Sequence, residues 1–239
     1  MEMEVQHQVM GYDRASTMFS PDGRLLQVEY AEKTVRLGSA SIGLTCVDGV
    51  VIVSDKRIID PLVLTQTTTK IWEIDSNIIA SAAGIVSDAR VLMERAQVIA
   101  QQHRITYDEA IDVESVIKEI ANMKQAFTQY GGARPFGVEV MVNGISNNEC
   151  QLYVSDVTGN YSGYKATAIG ENDENIKEIL RTEWKENLTS EQAVKLALSI
   201  FKKILGKNFN IKRFEAAFVR RGEKKVERIH GELLTKYLK

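Results

Sequence analysis

At 239 residues with 44% hydrophobic side chains, the chain can bury about three-quarters of its unfolded surface and needs neither disulfide nor metal to fold. Thirty basic residues against 32 acidic ones leave a net charge of −2, which excludes the basic balance of a nucleic-acid binder. No apolar run approaches the roughly 18 residues of a membrane span, and the start MEMEVQHQVMG lacks the basic and apolar plan of a secretory signal, so a cytoplasmic protein is expected.

In chain order, a polar leader over 1–11 gives way to Tyr12-Asp13-Arg14 and then to Ser20-Pro21. Serine is a good N-cap and proline suits the first helical position, so a helix is predicted over 20–37. It carries two apolar rows at helical spacing, Leu25, Val28, Ala31 and Val35 on one side and Leu26, Tyr30 and Leu37 on another, and so wants contacts on both flanks. Gly38 is placed to end it. The period then changes to β-branched runs over 39–47 and 49–55, joined at Asp48-Gly49, a hairpin signal. A second pair, 70–74 and 78–82, follows around Asp75-Ser76-Asn77.

Two helices come next, one capped by Ser87 or Asp88 with Leu92, Ala96, Ile99 and His103 on a face. The other is capped by Asp112, with Val116, Ile120, Met123, Phe127 and Tyr130 aligned, and is closed by Gly131-Gly132. Strands return over 136–142, 150–154 and 161–169. A second helix pair spans 173–185 and a stretch running from a Thr189-x-x-Gln192 capping box to Gly206. Strands 214–220 and 225–229 and a short helix over 232–238 complete the pattern. Three prolines and no Gly- or Ser-rich linker mark no boundary, so 1–239 reads as one domain. Cys46 and Cys150 sit in strand-like runs without paired spacing, as buried thiols in a reducing compartment do. His7, His103 and His230 stand apart from other ligand types, so no metal site is expected. Gly131-Gly132 leads into a strand, so no phosphate cradle is expected either. Spacing alone gives an α+β fold of open topology.

The runs YDR at 12–14, FSPDGRLLQVEYA at 19–31 and GSASIG at 38–43 closely resemble the N-terminal signature of proteasome α-type subunits. GVVIVSDKR, AAGIVSDARVL, TQYGGARPFGV and YKATAIG extend the likeness over nearly the whole chain. The resemblance implies a four-layer αββα sandwich of two antiparallel sheets, the architecture of N-terminal nucleophile hydrolases. It also implies a non-catalytic α subunit that needs no cofactor. Such subunits form a heptameric ring, expected here to be homomeric because the chain lacks a long charged C-terminal tail. The ring caps β-type subunits in which the threonine endopeptidase activity resides, admits unfolded protein substrates and receives the C-terminal tails of regulatory ATPases.

Residue by residue, Tyr12, Asp13, Pro21 and Tyr30 match the cluster that braces the gate formed by the leader 1–11. Lys70 matches the lysine that pairs with the terminal carboxylate of an inserted tail, a task suited to a point charge. Gly38 and Gly84 match small residues flanking that pocket, and Ile85 stands where the family usually has leucine. Arg134 matches a ring contact, and the first helix, through Leu26, is the expected contact with a neighbouring subunit.

An alternative comes from the same fold. Ser39 falls near the position of the nucleophilic threonine in catalytic β-type subunits, and a triad Ser39, Asp55, Lys70 can be written. A self-processing hydrolase of this kind needs cleavage after Gly38 to free an α-amine as base. The capped helix before Ser39 reads as permanent, which argues against that processing. A stand-alone interaction domain is the third reading.

Overall fold

A computed structural model of the chain describes residues 10–57, 62–64, 67–223 and 225–238. Among the described residues ten strands form two five-stranded antiparallel sheets. The first sheet contains β1 (Ser41–Thr45), β2 (Gly49–Asp55), β8 (Ala166–Ile169), β9 (Phe214–Arg220) and β10 (Val226–His230), in the order β10-β9-β2-β1-β8. The second runs β3 (Ile71–Asp75), β4 (Ile78–Gly84), β5 (Val138–Ser146), β6 (Glu149–Ser155) and β7 (Tyr161–Gly163) in chain order.

Alternation along the strands gives each sheet two apolar faces, and the layers follow from where those faces find partners. Val138, Val140 and Val142 of β5 pack outward against Leu92 and Ala96 of α2 (Val86–Tyr107) and Val116 and Ile120 of α3 (Val113–Gln129). Ile42 and Leu44 of β1 pack outward on Ile176 of α4 (Asp173–Glu183) and on Ala197 and Phe201 of α5 (Ser190–Leu205). Between the sheets Val50 and Ile52 meet Ile79, Met141, Leu152 and Ala217. This is the four-layer αββα sandwich that the resemblance implies. The first helix, α1 (Leu26–Leu37), is a fifth element, and its Val28, Ala31 and Val35 join the cluster between the sheets.

Several boundaries differ from expectation, each for a local reason. The first helix begins at Leu26, not at Ser20. Ser20 is buried and closes a turn instead: its N–H donates to Arg24 O, its carbonyl accepts from Gly23 N, and its Oγ accepts from Arg24 N at 3.2 Å. Gly23 sits in the left-handed region at φ +76°, which interrupts any helix from Pro21. The expected strand 161–169 divides into β7 and β8, which belong to different sheets, so alternation persisted while the partner changed. Asp88 does not cap α2. Ile85 holds the N-cap position without a side-chain bond.

Other signals formed as read. Asp112 accepts from Ser115 N, and Thr189 with Gln192 makes the reciprocal capping box of α5, which ends at Gly206 with φ +52°. At Asp48-Gly49 the hairpin forms, but the glycine is demanded from the side. A Cβ on Gly49 would stand 2.1 Å from Val219 O of the adjacent strand β9.

Candidate functional site

The site lies at the end of the sandwich where α1 stops and β1 begins. Four segments converge there too tightly for side chains. A Cβ on Gly38 would meet Gly84 N at 2.3 Å, one on Gly84 would meet Gly137 O at 2.2 Å, and one on Gly170 would meet the carbonyls of Ser39 and Gly38 at 2.8 and 2.9 Å. Gly84 also has φ +123°, a conformation open to glycine. The crowding is stitched by hydrogen bonds: Glu171 N donates to Gly38 O at 2.8 Å, and Ile85 N and Thr34 Oγ1 both donate to Gly137 O at 2.9 Å. The Ile85 side chain packs against Gly137. Thus Gly38, Gly84 and Ile85 lie together, with Gly137 and Gly170 as members that spacing alone did not reveal.

Lys70 immediately precedes β3, and its Nζ donates to Ala82 O at 2.5 Å on the strand that ends at Gly84. Burial, then the nearby Arg57, push its ammonium down to about 8, while Asp55 and Glu215 pull the other way. Glu215 of β9, 2% exposed, is the anchor beneath it. Its Oε1 accepts from Lys70 N at 3.0 Å and Ile71 N at 2.9 Å, and its Oε2 faces Lys56 Nζ and His230 Nδ1 at 3.4 Å each. A carboxylate from one sheet thereby fixes the first strand of the other. The signal was a lone glutamate in the apolar run FEAAFV, since buried charge in a strand is rarely idle.

Next to it, three fully buried hydroxyls form a triangle: Ser41 Oγ and Ser81 Oγ at 2.8 Å, Ser54 Oγ and Ser41 Oγ at 2.8 Å, and Ser54 Oγ and Ser81 Oγ at 3.2 Å. Ser81 Oγ also donates to Lys70 O.

Among the described residues no hydrogen bond or ion pair joins Ser39, Asp55 and Lys70 into a triad, although the Asp55 charge acts on Lys70. Asp55 is committed to Arg213, through Nε at 3.1 Å and Nη2, and to Arg57 N at 2.9 Å, while Lys70 is held by Ala82. The Gly38–Ser39 linkage is part of the crossing just described. Gly38 N donates to Val35 O and so completes the last turn of α1.

Of the expected gate residues, Asp13 is tied to α1 through its carbonyl, which accepts from Gln27 Nε2 at 2.5 Å. Pro21 is exposed on the Ser20–Arg24 turn. Tyr30 is half-buried on α1 with the Lys33 ammonium 5.3 Å from its ring centre, and Tyr12 is half-buried beside Asp13. Residues 1–9 of the leader lie outside the described residues.

The two residues expected at ring contacts differ in their settings. Arg134 makes a two-pronged bond to Asp88, at 2.6 and 2.7 Å, and Asp88 also accepts from Gly137 N at 2.9 Å. Its guanidinium braces the loop before β5 and is 58% exposed. Leu26 is 5% exposed and belongs to the interior, whereas Leu37 on the same helix is 78% exposed.

No group of metal-ligating side chains occurs among the described residues, and none of their helices is long and apolar enough to cross a membrane. The free thiols Cys46 and Cys150 are not paired, and burial pushes the Cys46 thiol far up.

Residues 35–219 match the family model described as proteasome subunit, and residues 12–33 match the model of the N-terminal signature of that family's A-type members. The chain is 43% identical over 229 residues to the proteasome alpha subunit of Methanococcus maripaludis strain C7, covering 96% of this chain and 88% of that one. It is 46% identical over 192 residues to the protein of the same name from Methanocaldococcus jannaschii, covering 80% and 74%. The Methanopyrus kandleri counterpart is 40% identical over 227 residues, covering 95% and 92%.

Proposed function

The chain belongs to the proteasome subunit family and bears its α-type N-terminal signature, and from that premise we propose that it is a cytoplasmic structural and gating subunit without peptidase chemistry of its own. Copies close into a homoheptameric outer ring, a heterologous interface repeated until the rotation closes. That ring stacks on catalytic β-type subunits and admits unfolded protein substrates. The leader 1–11 occludes the axial opening, and Tyr12, Asp13, Pro21 and Tyr30 set its open state. Lys70, Gly38, Gly84 and Ile85 receive the C-terminal tail of a regulatory ATPase.

The observation that carries the non-catalytic part of the reading is the bonding of Gly38 across the sandwich end. A strand-start nucleophile of this fold needs its own free α-amine. Here the residue before Ser39, Gly38, lies within a crossing held by Glu171 N and by contact with Gly84. The docking part is supported by a lysine whose ammonium bonds Ala82 O on the strand that ends at Gly84, and by half-buried glycines at 38 and 84 where a side chain would block close backbone approach.

Intact mass tests the first part: the chain should stay at 26.8 kDa on incubation, and a product beginning at Ser39 would overturn it. Electron microscopy down the particle axis should show sevenfold rings. In particles assembled with β subunits, Lys70→Ala should abolish stimulation of peptide hydrolysis by an ATPase tail peptide while leaving basal hydrolysis intact. Equal stimulation of wild type and variant would remove Lys70 from the docking role.

A further inference from the structure

A cavity of about 250 Å³ lies between β8 and the second half of α4, and none of its lining residues belongs to the crossing at Gly38. Spacing on α4 builds one side of it, because Lys177, Leu180, Arg181 and Trp184 share a helix face. Leu180, Trp184 and Tyr164 supply an apolar, aromatic wall. Three cations stand around that wall, Lys165, Lys177 and Arg181, and no carboxylate is among the lining residues. Two of the cations are engaged: Lys165 pairs with Glu186, and Lys177 Nζ bonds Asp173 at 2.6 Å. Arg181 is exposed and takes part in no hydrogen bond or ion pair among the described residues. Two donors on lining side chains are likewise unmet. Thr167 of β8 is only 2% exposed, yet its hydroxyl has no hydrogen-bond partner among the described residues, and the Trp184 indole N–H is buried without an acceptor. Buried donors are rarely left so, and the arrangement wants an acceptor.

We propose that this cavity binds a carboxylate carried on an aromatic ring. The ring lies against Trp184, Tyr164 and Leu180, and the Arg181 guanidinium takes the carboxylate in the two-pronged manner that fits its planar fork, with the Thr167 hydroxyl as a further donor. Volume sets the size. An engineered apolar cavity of about 150 Å³ takes benzene, so the larger space here takes one ring with a short acidic arm, while it falls short of the roughly 300–1,000 Å³ of sites for drug-sized ligands. Charge sets the sign. Arg181 is uncompensated, and the acids that pair with the two lysines lie outside the lining. Together the cations outweigh the roughly half negative charge at the C-terminus of α4. The Lys165 ammonium also stands 5.7 Å from the centre of the Trp184 ring, which braces the stacking surface. A free small molecule and the C-terminal residue of a peptide share this chemistry.

Equilibrium dialysis of ligands against the full-length chain tests this, and fluorescence of Trp72→Phe, in which Trp184 is the remaining tryptophan, reports the place. Phenylacetate should bind saturably and change the Trp184 emission. Phenylacetamide should bind about tenfold more weakly or worse, as loss of a charge-assisted bond requires, and inorganic phosphate should not compete. If N-acetylphenylalanine competes as well as phenylacetate, a chain end is the source; if only phenylacetate binds, the source is a small molecule. Arg181→Gln and Thr167→Val break no hydrogen bond or ion pair among the described residues, and they should weaken binding about tenfold and about threefold with the thermal midpoint unchanged. No saturable binding of phenylacetate, equal binding of its amide, or unchanged affinity in both variants would overturn the site.

Discussion

Single residues at the sandwich end are constrained by backbone crowding. Gly84 combines φ +123° with a would-be Cβ 2.2 Å from Gly137 O. Gly84→Ala should therefore cost about 3 kcal/mol or more, the range reached by backbone strain added to overpacking. Gly23, at φ +76° with open space around it, bears only the conformational term, and Gly23→Ala should cost about 1–2 kcal/mol. Urea unfolding midpoints of the two variants separate the effects; equal losses would mean that contact with Gly137 is relieved cheaply. Asp88 is a second constrained position: burial works against its charge, yet the Arg134 bonds and Gly137 N hold its carboxyl below the usual range. Its stabilisation is present above the ordinary carboxylate value and lost as pH falls below it. Asp88→Asn should flatten the acid side of the stability profile and speed hydrogen exchange over 131–137.

At the scale of the element, α1 separates two roles that its sequence ran together. The row that includes Val28, Ala31 and Val35 reaches the core between the sheets, and Leu26 on the other row is also buried within the chain. Leu26→Arg should consequently unfold or severely destabilise the protein, by about 3 kcal/mol or more for an unpaired buried charge, and any loss of rings would be secondary. Leu37, exposed at the end of α1, tests ring contact cleanly. Leu37→Arg should keep the isolated chain's thermal midpoint and shift native mass spectra toward smaller species; unchanged assembly would take α1's exposed flank out of the interface. The helix pairs were legible because their signals are short-range. Asp112 and Thr189-Gln192 cap within three residues, and Gly206 stops α5 at once. Ser20 misled because its oxygen, equally suited to capping, bonds a turn closed by Gly23, and sequence spacing does not rank the two uses.

For the whole molecule, polar groups fasten one sheet to the other. Glu215 from β9 holds the start of β3, Asn143 of β5 donates to Leu44 O and Val51 O at 3.2 and 3.0 Å, and Arg228 Nη1 donates to Ile71 O at 2.8 Å. Glu215→Ala leaves two backbone N–H groups and Lys56 without their acceptor and should cost about 3–5 kcal/mol, seen as a fall in the denaturation midpoint. The same variant should release Lys70 from its anchor and weaken tail-peptide binding. In the assembled particle, deleting 1–11 should raise peptide hydrolysis, and an unchanged rate would argue against a gate.

From the sequence by itself came the α+β class, the helix pairs, the proteasome likeness, and Gly38, Gly84, Ile85 and Lys70 as residues to watch. Capping, alternation and turn chemistry are local, and they survive in the linear order. Tertiary structure decided which strands share a sheet, that 161–169 serves both, that Asp55 belongs to Arg213, and that Arg134 belongs to Asp88. Those pairings join residues 46 to 158 positions apart, and free energy at that range depends on burial and close backbone approach, which only the packed chain defines.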